Sequence, residues 1–157
     1  MTRRRLVLLL ALAAIAAILA SRYFSPEHAV RRRLKAAVQA FEQEKFLDLA
    51  RLVSRRYSDP NGLDYESLLG AAHTAFETYA DLKLDLDLGS ISIAGDSATV
   101  PVSFRVSGKL EGRAGTIAGS RSDPARAVLK LAKEHGDWML TSIESLDLPS
   151  LSPPGPG

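Results

Sequence analysis

His73 is the titratable side chain of this 157-residue sequence best placed to do chemistry. On a helix it falls about 40° from Leu69 and about 60° from Phe76, at the margin of an apolar stripe. From there it could look into a cavity beside Tyr65 or Tyr79 and act as a general base. The simpler expectation is a half-buried histidine bonded to a backbone carbonyl. Asp85 and Asp87 project from one strand face and could pair as two carboxylates. Each alternates with leucine, so a solvated polar face accounts for both. His28 falls in a helix first turn and His135 in a chain turn. No two histidines have metal-ligand spacing, so no metal and no cofactor is expected. Gly108, Gly112, Gly115 and Gly119 lack both the Gly-Lys-Ser/Thr ending and the strand-to-helix context of a phosphate loop. Phe76, Phe104 and Trp138 suit a core better than a stacking platform, and no nucleic acid partner is expected. The candidates for a ligand pocket are therefore Tyr65, His73, Phe76, Tyr79, Phe104 and Trp138.

These residues must be held by a domain, and the composition allows one. The chain has no cysteine, which excludes disulfides, thiol catalysis and cysteine-ligated metals. Its length suits a single core without staples. The net charge of +2 is unevenly spread. Arg3, Arg4 and Arg5 precede a hydrophobic run; Arg22 to Arg56 holds nine basic and four acidic residues; Tyr57 onward holds eight basic and fourteen acidic. The pI near 9.0 is thus no argument for nucleic acid. The basic excess, including Arg22, Arg31, Arg32 and Arg33, lies next to the hydrophobic run, where anionic headgroups explain it.

That run, Leu6 to Ala20, has fifteen residues without a polar side-chain atom. With its triple-arginine flank it has the layout of a secretory signal or a signal anchor. Fifteen helical residues rise roughly 22 Å, short of the roughly 30 Å hydrocarbon core, and Ser21, Arg22, Tyr23 and Phe24 could extend the span. Cleavage after Ala20 would put Ile18 at −3, which breaks the small-residue pattern. Residues 1–24 are therefore expected to be a retained anchor, N-terminus cytoplasmic, with the following domain extracytoplasmic (periplasmic); secretion after cleavage is the alternative.

Beyond the anchor, Ser25-Pro26-Glu27 marks a helix start, followed by the stripe Val30, Leu34, Ala37, Val38, Phe41. Phe46 to Val53 predicts a short helix, closed by the turn-rich Tyr57 to Gly62. A third helix is expected from about Asp64 to Tyr79. The period then becomes two: Leu82, Leu84, Leu86 and Leu88 alternate with Lys83, Asp85 and Asp87. Past Gly89-Ser90 the apolar positions shift to Ile91 and Ile93, which is how a β-bulge looks in sequence. Val100 to Val106, Ala127 to Leu131 and Trp138 to Leu146 predict further strands. Lys109 to Asp123 is weakly patterned and reads as a long hairpin connection or mobile flap. Pro149 to Gly157 is expected to be a disordered tail, leaving residues 25–148 as the domain.

Helices followed by consecutive antiparallel strands make an α+β fold. Gly95-Asp96-Ser97-Ala98-Thr99-Val100 and Gly136-Asp137-Trp138-Met139-Leu140 sit where the NTF2-like superfold carries a hairpin and the opening of its last strand. With the element order, they make Pro26 to Leu148 resemble that superfold. The resemblance implies three helices packed on a curved antiparallel sheet as a cone with a pocket, here preceded by one hydrophobic helix. It also implies very different uses: isomerases and dehydratases with an acid–base pair, ligand or partner binders, and membrane-tethered assembly domains. No catalytic motif of the enzymatic members can be placed here. The expected role is a non-catalytic binding or assembly module for a partner protein, a second copy or a small apolar ligand. A small cofactor-independent enzyme using a cone-facing His or carboxylate is the alternative.

Overall fold

The computed structural model describes residues 3–23 and 25–149, with side chains from Leu10 to Ala20 and from Ser25 to Pro149. The side chains of Arg3, Arg4, Arg5 and Arg22, and the tail expected beyond Pro149, lie outside the described residues. Helix α1 spans Arg3–Tyr23, α2 Pro26–Glu42, α3 Phe46–Ala50 and α4 Tyr65–Thr78. Six strands follow: β1 (Ala80–Leu88), β2 (Ser92–Ala94), β3 (Ser97–Leu110), β4 (Arg113–Ala118), β5 (Ala125–Glu134) and β6 (Asp137–Asp147).

Helix α1 is exposed at every position from Leu10 to Ala20. Among the described residues no helix is long and apolar enough to cross a membrane. Helix α2 starts as expected: the Ser25 hydroxyl accepts from the His28 N–H at 3.2 Å, and Pro26 takes the first turn. Asp64 and Ser67 close a reciprocal capping box at the start of α4. Helix α3 is shorter than its apolar pattern suggests, because the chain leaves it to pair with the sheet. Leu52 O and Ser54 N bond Leu140 N and O, each at 2.9 Å, in a parallel bridge centred on Val53. The segment 52–58 thereby covers part of the β6 edge.

All strand pairs are antiparallel. The path runs β1-β3-β5-β6, with β2 and β4 also paired to β3. The phase change at Gly89-Ser90 is a real offset: Leu88 faces Val102 but Ser92 faces Thr99, four steps against three. Gly89 lies where an added Cβ would come within 2.9 Å of the Pro101 ring.

The stretch Lys109–Asp123, expected as a long hairpin connection or mobile flap, contains a strand of its own, β4, which returns along β3 in a tight hairpin. Leu110 pairs with Arg113 across Glu111 and Gly112, at φ 50° and 79°. Two central residues with positive φ match strand twist, and His135-Gly136 repeats the device between β5 and β6. Glutamate in the first position is what hid the Leu110–Arg113 turn, since Asn or Asp usually stands there, whereas the His135-Gly136 turn falls where the sequence places one.

The core has two parts that share Ile143 at their border. Val30 and Leu34 of α2 pack on Ala98, Val100, Val102, Ala127, Leu131 and Trp138. Val53, Tyr57 and Leu69 form the second, with Phe46, Leu68 and Leu140 against them.

Gly119, with φ +67°, lies where β4 hands over to β5, and a Cβ there would meet Phe104 O and Ala125 N at 2.6 Å. Gly119→Ala should destabilise the fold by at least about 2 kcal/mol, since left-handed strain and a backbone clash add. Gly112→Ala, with φ +79° but open space around it, should cost about 1 kcal/mol. Equal losses for the two variants in denaturant unfolding would refute the close-approach account.

Candidate functional site

The six pocket candidates from the sequence do not converge on one point. His73 is exposed: its Nε2 lies 3.3 Å from the Glu77 carboxylate one turn on, and its ring meets Phe46 edge-on at 5.7 Å between centroids. Tyr65 packs on the second core cluster and lies under the Arg55 guanidinium, 4.5 Å from the ring centroid. Phe76 is half-buried and tilts against Phe41 at 5.5 Å. Tyr79 is half-buried at the end of α4, its N–H donating to Ala75 O. Trp138 is buried in the first core cluster, and Phe104 packs against that cluster from β3. Asp85 and Asp87 are exposed on the outer sheet face, where Asp85 pairs with Arg105.

Arg33 corrects a sequence expectation. Arg31 and Arg32 are exposed on α2, with Arg31 paired to Glu27, but Arg33 is half-buried. Its Nε donates to Trp138 O at 2.8 Å and its Nη2 to Arg51 O at 3.3 Å, with Met139 Sδ also 3.3 Å from Nη2. A residue read as part of a solvated basic face thus ties α2 to the start of β6 and the end of α3. Its neighbours in sequence are identical in type, so only packing singles it out.

Three further polar contacts gave no sequence signal. Ser54 is fully buried and its Oγ donates to the Glu134 carboxylate at 2.8 Å. Glu42 Oε1 accepts the Leu84 N–H at 3.0 Å, joining α2 to the edge of β1. Tyr57, read as part of a turn, is only 2% exposed, and its hydroxyl donates to Asp59 Oδ2 at 2.5 Å. Burial, and then the bond and charge of Asp59, push the Tyr57 hydroxyl well above the usual tyrosine range. Burial alone would raise the Asp59 carboxyl. The Tyr57 hydroxyl and the Leu63 and Asn61 N–H groups outweigh it and hold the carboxyl below the usual range.

Three clefts are described. One of about 440 Å³ is lined by Asp81, Arg105, Lys109 and Thr116 along β1, β3 and β4. There the Lys109 ammonium lies 2.7 Å from Asp81, which lowers the Asp81 carboxyl and raises Lys109 through that hydrogen bond. Another, of about 380 Å³, lies between Asp85, Asp87, Phe104, Arg105 and Arg121. The third, about 320 Å³, separates α2 from α3 and is lined by Arg33, Gln39, Gln43, Lys45, Asp48 and Arg51 together with Ala36, Ala40 and Leu52. Of the residues singled out from the sequence, Phe104, Asp85 and Asp87 line the second cleft and Arg33 the third. Among the described residues no three His, Asp or Glu side chains come together as a metal site.

No protein-family model matches the chain, and no curated protein sequence does. Solved structures do. A candidate scytalone dehydratase from Novosphingobium aromaticivorans superposes with a TM-score of 0.67 at 13% identity, over 79% of this chain and 84% of that one. A candidate aromatic ring hydroxylase from the same organism gives 0.63 at 16% identity, over 80% and 88%. A candidate dehydratase of the NTF2-like family from Streptomyces avermitilis gives 0.58 at 16%, over 74% and 92%. The chain therefore has the NTF2-like fold, an α+β domain with helices on a curved, open antiparallel sheet. At these identities the likeness speaks for the fold alone.

The Tyr57–Asp59 pair generates a pH signature. A lowered Asp59 stabilises the fold above the unfolded carboxylate value near 3.9, and that share is lost as pH falls through the folded value. A raised Tyr57 contributes fully below roughly pH 10 and is lost as pH rises beyond it, because the unfolded tyrosine ionises first. Tyr57→Phe should cost about 1 kcal/mol at neutral pH. It should also move the acid unfolding midpoint upward and remove this tyrosine's part of the alkaline loss. Denaturant unfolding across pH checks all three, and an unmoved acid limb would contradict the assignment.

Proposed function

We propose that the chain is a membrane-tethered extracytoplasmic NTF2-like domain that binds a partner protein or a small apolar ligand. The observation that carries the tether is the exposure of α1. Leu10, Leu12, Ile15, Ile18 and Leu19 are each more than half exposed, and no face from Leu10 to Ala20 is covered. Leaving such a surface in water costs roughly 25 cal/mol per Å², and a helix apolar all round belongs in lipid. The 21-residue helix rises roughly 31 Å, close to the thickness of a bilayer core, although its uninterrupted apolar run is only fifteen residues. Three arginines before the apolar run favour a cytoplasmic N-terminus, with signal cleavage as the alternative fate.

Binding is preferred to catalysis because the titratable groups best placed for chemistry are engaged elsewhere. His73 stands exposed beside Glu77, and the shifted Tyr57–Asp59 pair locks a turn. The names of the similar structures favour the second reading, a small isomerase or dehydratase. That reading needs an ionisable group in the cone, and His73 does not supply one.

A C-terminally tagged full chain should fractionate with the membrane, resist extraction by salt, and lose its tag to protease added from outside. Recovery in the cytosolic fraction would overturn the tether; recovery as a shortened soluble exported form would establish cleavage.

A further inference from the structure

The cleft between α2 and α3 differs from the two on the sheet in how its charges are matched. On the sheet Lys109 has Asp81 and Arg105 has Asp85, and the other lining cation, Arg121, shares its cleft with two carboxylates, Asp85 and Asp87. In the helical cleft Arg33, Lys45 and Arg51 face a single carboxylate, Asp48, which lies 3.6 Å from Arg51. Among the described residues no carboxylate comes within ion-pair distance of Arg33 or Lys45.

Arg33 is the half-buried member, and its Nε and Nη2 are held by two carbonyls and a sulfur. These contacts fix the guanidinium without neutralising it, and a guanidinium carries five N–H donors, so two at Nη1 stay unspent. A cation that is partly desolvated and lacks a counter-charge is costly, and a bound anion recovers that cost. Lys45 stands at the start of α3, while Gln39 and Gln43 bring amide donors from α2; none of the three side chains is hydrogen-bonded among the described residues.

We propose that this cleft is a binding site for a phosphate group. A tetrahedral phosphate offers enough acceptor oxygens for the Lys45 point charge and for the flatter Arg33 and glutamine donors together. The group can be that of a phospholipid head or of a soluble phosphate compound.

The test uses the full chain in zwitterionic detergent micelles. Inorganic phosphate is titrated calorimetrically at constant ionic strength against wild type, Lys45→Glu, Lys45→Gln and, as a charge-matched control outside the cleft, Arg32→Glu. Lys45 is exposed at a helix start, where an acidic residue is tolerated, so the variant should fold. Saturable binding weakened about tenfold by Lys45→Glu, less by Lys45→Gln, and spared by Arg32→Glu is the expected result for a soluble ligand. A second arm compares retention of phosphatidylglycerol and phosphatidylcholine by native mass spectrometry. Phosphatidylglycerol retention lost in Lys45→Glu and kept in Arg32→Glu supports the site with a lipid head as its ligand. Indifference of both arms to Lys45→Glu, or equal weakening by Arg32→Glu, overturns the proposal. The soluble arm does not depend on the tether, so failure of the membrane assignment would leave it standing.

Discussion

Strand β3 is the constraint on which the rest of the molecule depends. Fourteen residues long, it pairs with β1, β2, β4 and β5, so its alternation sets the face of almost every neighbour. Ala98, Val100 and Val102 are its buried row, and Val30 and Leu34 of α2 rest on the same cluster. Pro101 is exposed on the opposite face, and its carbonyl takes the Gly89 N–H at 2.7 Å, the point where the partner strand gains its extra residue. A register slip of one residue would place that apolar row in water and the Asp85–Arg105 face in the core.

Helix α2 sits on this platform in two ways that need each other. Val30 and Leu34 supply apolar area, while Arg33 between them reaches the backbone of β6 and α3. Glu42 then fastens the far end of the helix to β1. The same anchoring that orients α2 leaves a fixed, unneutralised charge beside the α2–α3 cleft. A structural arginine and a ligand-facing one are thus the same residue, which is economical where two elements meet over little apolar surface.

Much of the fold was legible because burial in water has a period. The leucine alternation in β1, the stripe of α2, both helix starts and the Gly89-Ser90 offset follow from local rules, and the structure shows each. The β3–β4 hairpin was not legible, because Glu111 occupies a left-handed position that Asn or Asp usually marks, and β4 is exposed over most of its length. An edge strand with little to bury has little pattern to show. Helix α3 forms where expected but ends early for a different reason: β6 offered the Val53 segment a ladder, a long-range alternative invisible locally.

The sequence by itself determined the apolar N-terminal run with its arginine flank, the α+β order and the absence of thiol chemistry, since these depend only on composition and periodicity. It could not tell Arg33 from Arg31 and Arg32, nor bring Ser54 to Glu134 across eighty residues. It also expected His73 half-buried on a backbone carbonyl, with a cavity-facing position as the alternative, whereas the packed helix leaves it exposed beside Glu77 and the edge of Phe46. Those outcomes belong to the tertiary structure because a side chain's partner is chosen by which elements meet, and a helical wheel knows only its own helix.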